Sequence, residues 1–283
     1  MLKGNGMSFE YRRIYKGPVK LVIFDWAGTT LDYGCYAPAV VFVEVFKRRG
    51  VEITMEQARR PMGLKKLDHI RAISRQDEVA KLWKEVHGRA CTEEDVQDMF
   101  EKDFVPLQLA CIGDYSELIP GTVETVDELK SRGIKIGSTS GYFTEAMEIN
   151  FREAKKQGYV PDVNACASDV PAGRPEPWMV MSNMQQARVF PPEAVVKVDD
   201  TKPGIAEGLN AGTWTIGLSK TGNEVGLNEQ ELAALNPEEV RRKVERATDG
   251  LAKAGAHYVV ESIAEVPPII VEIEERLKMG QRP

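Results

Sequence analysis

The stretch that most restricts this chain is VKLVIF at 19 to 24, where five of six residues are apolar and the run stops abruptly at Asp25 and Gly28. A run this short and this continuously apolar reads as a parallel strand buried on both faces. Asp25 then stands at the carboxyl end of a strand. In open α/β sheets that edge binds ligands, because strand ends and helix N-termini converge there.

The rest of the chain fits such a sheet. Pro38 to Arg49 reads as a helix apolar around much of its circumference (Val40, Val41, Phe42, Val43, Val45, Phe46), ended by Gly50. From 54 to about 112 only helix-like segments follow, among them TMEQARR, LKKLDHIRAI and TEEDVQDMFEKDFVPLQL. The strand and helix rhythm resumes with GTVETVDELKSRG, the strand IKIGSTS and the helix TEAMEINFREAKKQG. Ala194 to Val198, Thr213 to Leu218 and His257 to Val260 read as further strands. PGIAEGLNAG is a helix between the first two, and a final helix carries Ile269, Ile273 and Leu277. The expectation is an α/β fold, a doubly wound, Rossmann-like parallel sheet with an inserted all-helical cap.

Composition narrows the function classes. The 283 residues carry 37 basic and 43 acidic side chains, a net charge of -6, and no basic tract resembling a nucleic-acid footprint. Nucleic acid is therefore not an expected partner, while a helix N-terminus or a lysine can still attract a small anion. Four scattered cysteines, at 35, 91, 111 and 166, show no CxxC spacing and suggest neither a zinc site nor a disulfide framework. Cys91, Cys111 and Cys166 are expected to fill space as small apolar groups. The opening MLKGNGMSFEYRRIYKGP lacks the apolar run of a signal peptide, and no stretch nears the roughly 18 apolar residues of a membrane span. A soluble, cytoplasmic protein with no membrane partner is expected.

Three loops offer chemistry at the sheet edge. LVIFDWAGTT at 21 to 30 places a carboxylate at a strand end, then a glycine turn whose N–H groups can cradle phosphoryl oxygens, then Thr29 and Thr30 as caps. The plainer reading is that Asp25 only caps a helix. KVDDTKPG at 197 to 204 follows another apolar strand, so Asp199 and Asp200 emerge beside Asp25. Magnesium favours such hard oxygen donors and would neutralise the repulsion between Asp25 and an incoming dianion. The strand IKIGSTS brings Thr139 and Ser140 to the same edge, with a helix N-terminus beyond Gly141. Arg174, stiffened by prolines and a glycine in PAGRPEPWM, is either a phosphate contact or a solvated loop residue.

DWAGTT, GSTSGY, the arginine of AGRPEPW and KVDDT fall in the order of the four motifs of the haloacid-dehalogenase-like phosphotransferase superfamily, which the chain resembles. The usual first motif is Asp-x-Asp-Gly-Thr, whose second Asp is the general acid and base of the phosphatases; here that position is Ala27. Such an alanine, together with PMGLKKLDHIR in the insertion, resembles the phosphonoacetaldehyde hydrolase branch, whose insertion carries a Schiff-base lysine. Met62-Gly63-Leu64 and Asp68-His69 place that lysine at Lys66, with Lys65 one residue too early. Composition alone would leave both lysines on a solvated surface.

The resemblance implies hydrolysis of a carbon–phosphorus bond with Asp25 as nucleophile and Lys66 as imine former. It implies Mg²⁺ held at Asp25, Ala27 and Asp200, with Asp199 and Thr29 behind them. Ser140, Thr139, Arg174 and Gly28 would meet the phosphonate, and His69, Met62, Cys35 and Tyr142 would surround the aldehyde. It also implies a homodimer through the cap. The divisions are an N-terminal extension at 1–18, a core at 19–34 and 113–283, and a cap at 35–112. Lys66 must be neutral to attack a carbonyl, so its pKa must fall from about 10.4 by desolvation or a nearby cation such as Lys65, His69 or Arg71. The alternatives are a phosphate-monoester phosphatase or phosphomutase of the same superfamily, disfavoured by Ala27, and a catalytically silent phosphate-binding scaffold.

Overall fold

Six short strands account for the sheet: β1 (Leu21–Phe24), β2 (Lys135–Ser140), β3 (Val163–Cys166), β4 (Val195–Asp199), β5 (Trp214–Leu218) and β6 (Tyr258–Val260). The structure is a computed structural model that describes residues 13–283. Residues 1–12 of the expected extension lie outside the described residues. All strand pairs are parallel, in the order β3-β2-β1-β4-β5-β6. The chain builds outward from β1 to β3, then returns to the other side of β1 for β4. That reversal puts the ligand-binding crevice of a doubly wound sheet at the carboxyl ends of β1 and β4.

β1 is buried on both faces, as its unbroken apolar run requires. Val22 and Phe24 join a core cluster with Val126 and Leu129 below the sheet, while Leu21 and Ile23 join a second with Val180, Met184 and Ala187 on the other side. The register pairs Phe24 with both Ser138 and Val198, so Asp25, Thr139 and Asp199 come level at one edge.

Between β1 and β2 the described residues form helices: α1 (Tyr36–Arg48), α2 (Met55–Arg59), α3 (Lys66–Ser74), α4 (Asp77–His87), α5 (Glu93–Asp98) and α6 (Val105–Cys111). A π-helical turn at Met99–Phe104 joins the last two. Thr54 and Thr92 begin α2 and α5 with reciprocal capping boxes, which satisfy N–H groups that a helix start otherwise leaves open. In α1, Val41, Phe42, Val45 and Phe46 are buried as expected, whereas Val40 and Val43 are only half-buried.

The remaining helices are α7 (Thr122–Ser131), α8 (Thr144–Lys156), α9 (Trp178–Ala187), α10 (Lys202–Asn210), α11 (Glu229–Ala234), α12 (Pro237–Lys253) and α13 (Val266–Lys278). The buried stripe of α13 runs through Ile270, Ile273 and Leu277; Ile269 is half-buried. Asp199 closes β4 rather than following it. Among the described residues no helix is long and apolar enough to cross a membrane. The four cysteines are unpaired.

Candidate active site

Asp25, Asp199 and Asp200 are all buried, and one oxygen from each lies within 4.8 Å of the others. Their partners differ. Asp199 is saturated by its own chain: Oδ1 accepts from the Thr201 N–H (3.0 Å) and hydroxyl (2.7 Å), and Oδ2 accepts from Lys197 Nζ (2.7 Å). Among the described residues Asp200 accepts only from the Thr29 hydroxyl (3.1 Å) and the Asn223 N–H (2.7 Å). Asp25 accepts from Arg174 Nη2 at 2.6 Å.

Burial raises the Asp25 pKa, with Arg174 opposing and Asp199 adding to the rise. Burial also pushes Asp200 well above the usual range, helped by the charges of Asp199 and Asp25. At Asp199 burial is outweighed by Arg174 and Lys197, and the carboxyl is held low.

This donor set fits a magnesium ion. Asp25 and Asp200 are hard oxygen ligands with lone pairs to spare, while Asp199 is committed to other donors. Four buried carboxylates, those of Asp25, Asp199, Asp200 and Glu207, face three buried cations, Arg174, Lys197 and Lys66, so a divalent cation would offset the remaining negative charge. Gly28 makes room for this cluster: its φ is +85°, and a Cβ there would fall 2.4 Å from Asp200 Oδ2.

The turn after β1 differs from expectation in two respects. Thr29 does not cap a helix; its hydroxyl donates to Asp200, while that of Thr30 donates to the Asp25 carbonyl at 3.1 Å. The Gly28 N–H is committed to the Leu31 carbonyl, and those of Thr29 and Thr30 turn back onto Trp26. A phosphoryl oxygen can thus be met there only by the N–H groups of Trp26 and Ala27.

Arg174 is buried, 4% exposed, and is not a solvated loop residue. Its Nε donates to Glu207 Oε2 (2.9 Å), and its Nη2 reaches both Asp25 and the Thr139 hydroxyl (2.8 Å). Glu207, on α10, therefore aims the guanidinium at Asp25. The Ser140 hydroxyl accepts from the Tyr142 N–H at 3.1 Å and keeps its own proton to donate.

Lys66 opens α3 and is 5% exposed. Its ammonium lies 4.3 Å from the Tyr142 ring centre and 5.9 Å from that of Phe42. Burial lowers its pKa to about 8; Arg174 lowers it too, against the pull of Asp25. The positive end of α3 acts in the same direction. Of the cations expected to do this, Arg71 is tied to Asp68 and to Glu93 (2.7 Å), and His69 is itself kept neutral by burial and by the Lys66 charge.

A cavity of about 20 Å³ joins these groups. Asp25, Ala27, Cys35, Met62, Lys66, Ser140, Tyr142 and Arg174 line it, and Gly63, Gly141 and Thr201 complete the wall. Thr139, Gly28, Thr29, Asp199 and Asp200 are not among its lining residues. Nor is His69: it stacks on Phe42 (3.8 Å between ring centres), its Nε2 meets the Ala58 carbonyl at 2.8 Å, and its Nδ1 has no partner.

A buried carboxylate at a Rossmann-like sheet edge, a neighbouring acidic pair and a buried arginine suit a phosphoryl-transfer class. A family model described as haloacid dehalogenase-like hydrolase matches residues 19–212. A curated "phosphonoacetaldehyde hydrolase-like protein" of Syntrophobacter fumaroxidans is 49% identical over 97% of this chain and 99% of its own. A "phosphonoacetaldehyde hydrolase" of Bacillus cytotoxicus is 47% identical over 91% of this chain and 97% of its own. The crystal structure of a phosphonoacetaldehyde hydrolase-like protein from Oleispira antarctica superposes with a TM-score of 0.95 at 40% identity, covering 98% of this chain and 100% of that one. The chain belongs to the haloacid dehalogenase-like hydrolases and, within them, to the phosphonoacetaldehyde hydrolase family.

Proposed function

We propose that this chain hydrolyses the carbon–phosphorus bond of phosphonoacetaldehyde to acetaldehyde and phosphate. The observation that carries the reading is the sharing of one cavity by Asp25, Lys66 and the methyl group of Ala27. A phosphatase needs an acid near its leaving oxygen. The residue at 27 cannot supply one, and the lysine offers a different way to stabilise a leaving group.

The neutral Lys66 amine attacks the aldehyde carbon, water leaves, and a protonated imine forms. An Asp25 oxygen then attacks phosphorus. The electrons of the breaking carbon–phosphorus bond flow into the imine, so an enamine departs in place of a bare carbanion. Protonation at carbon and hydrolysis release acetaldehyde, and water cleaves the aspartyl phosphate. Arg174 and the Ser140 hydroxyl hold phosphoryl oxygens through the transfer. Mg²⁺ held by Asp25, Asp200 and the Ala27 carbonyl would spread charge from the transferring group. Met62, Cys35 and Tyr142 shape the aldehyde end.

The same reading makes 35–112 a cap that closes on the core, pairs two copies into a homodimer, and puts the enzyme in the cytoplasm. Borohydride added with phosphonoacetaldehyde should fix an adduct on Lys66, located by mass spectrometry; an unmodified Lys66 sinks the imine mechanism. Lys66→Arg keeps the charge but should lose both adduct and turnover, because guanidinium stays protonated. Faster turnover of phosphate monoesters than of phosphonoacetaldehyde would favour the phosphatase reading.

A further inference from the structure

We infer that Asn223 is a positioning residue that latches the helical insertion to the acidic cluster, so that cation binding and closure favour one another. The inference rests on the reading that Asp25 and Asp200 hold a divalent cation.

Asn223 lies in the loop after β5 and is 8% exposed. Its backbone N–H makes the shorter of the two hydrogen bonds to Asp200, at 2.7 Å. Its side chain faces the other way. Oδ1 accepts from Arg59 Nη1 and Nδ2 donates to the Arg59 carbonyl, both at 3.3 Å. Arg59 ends α2, a few residues before the turn that delivers Lys66.

The neighbouring contacts stiffen this link. The Thr221 hydroxyl donates to the Gly28 carbonyl (2.9 Å), and the Thr221 carbonyl accepts from the Gly34 N–H (2.8 Å). Arg59 Nη1 also donates to the Gly34 carbonyl at 2.6 Å. One loop therefore touches the nucleophile's turn, the crossing into the insertion, a cation-holding carboxylate and the insertion itself.

Opening the insertion must break both side-chain bonds between Asn223 and Arg59. The loop is then held on one side only, and the N–H that orients Asp200 is less well fixed. A cation that pins Asp200 stabilises the loop and hence the closed arrangement. Linkage makes the effect reciprocal.

Hydrogen exchange and titration calorimetry with Mg²⁺ alone test this without reference to turnover. In the wild type, Mg²⁺ should slow exchange across residues 59–66. In Asn223→Ala, which keeps both cation-holding carboxylates, that protection should be lost and Mg²⁺ affinity should fall about fivefold or more, the usual lower bound of a coupling. Arg59→Met, altered in the insertion alone, should weaken Mg²⁺ binding similarly. Undiminished protection in Asn223→Ala, or wild-type affinity in Arg59→Met, overturns the latch. A wild type that binds no Mg²⁺ removes the cation site as well, an outcome distinct from either. Unfolding midpoints measured without Mg²⁺ identify a variant that is merely unstable, and the other variant then decides.

Discussion

At the scale of single residues, Lys66 shows how position outweighs residue type. A free lysine keeps its proton to about pH 10.4. Burial brings Lys66 to about 8. The neutral amine fraction therefore grows as pH rises through about 8, and single-turnover imine trapping should climb on a limb centred there; a limb near 10.4 would show that the amine is not desolvated when it reacts. The same shift has a sign for stability. Between about pH 8 and 10.4 the unfolded chain holds a proton that the folded chain has lost, so this group's contribution to stability rises with pH across that window. Lys66 was not legible from its own surroundings in the sequence, where it resembles any surface lysine. Its burial depends on Phe42 and Tyr142, which lie far from it along the chain. Only the motif around it gave it a role. Lys197 and Glu207 escaped notice for the same reason, because a buried charge makes sense only once its partners are known, and Glu207 pairs with both Lys197 and Arg174.

At the scale of elements, the site depends on close approach between the turn before α3 and the loop after β2. A Cβ at Gly141 would lie 2.7 Å from the Leu64 carbonyl oxygen. The backbone of Gly141 is not in the left-handed region, so alanine meets no intrinsic strain there. Gly141→Ala should thus keep the unfolding midpoint near that of the wild type while pushing the Lys66 turn outward, lowering kcat/KM about tenfold or more, since a misplacement of about 1 Å can cost about 100-fold. A variant with normal kcat/KM would show that the seam has slack. β1, β2, β4, β5 and β6 could be read from apolar runs. β3 could not: VNAC is four residues long, with Asn164 exposed at the sheet's edge. α12 was equally obscure, since it buries only Val244, Ala247 and Leu251 beneath a highly charged surface.

For the whole molecule, the topology gathers more negative charge than its own cations balance, so folding and cation binding should be linked. Mg²⁺ at 100 times its dissociation constant would add about 2.7 kcal/mol to stability, raising Tm by several degrees. Asp200→Asn should raise Tm in the absence of metal, by relieving carboxylate repulsion, and should abolish the Mg²⁺ response in differential scanning calorimetry. A wild-type Tm indifferent to Mg²⁺ would contradict the charge count. The doubly wound sheet and its helical insertion were legible because both follow from periodicity; the latch at Asn223 was not, because it joins segments with no shared pattern. The narrow cavity, about 20 Å³ in volume, has a consequence for traffic. A space with room for roughly one water molecule can hold neither an aldehyde nor a phosphate ion as it stands. On the proposed function, substrate and product must pass Cys35, Met62, Gly63 and Lys66 of the insertion, so the insertion's movement bounds throughput however fast the bonds inside are broken.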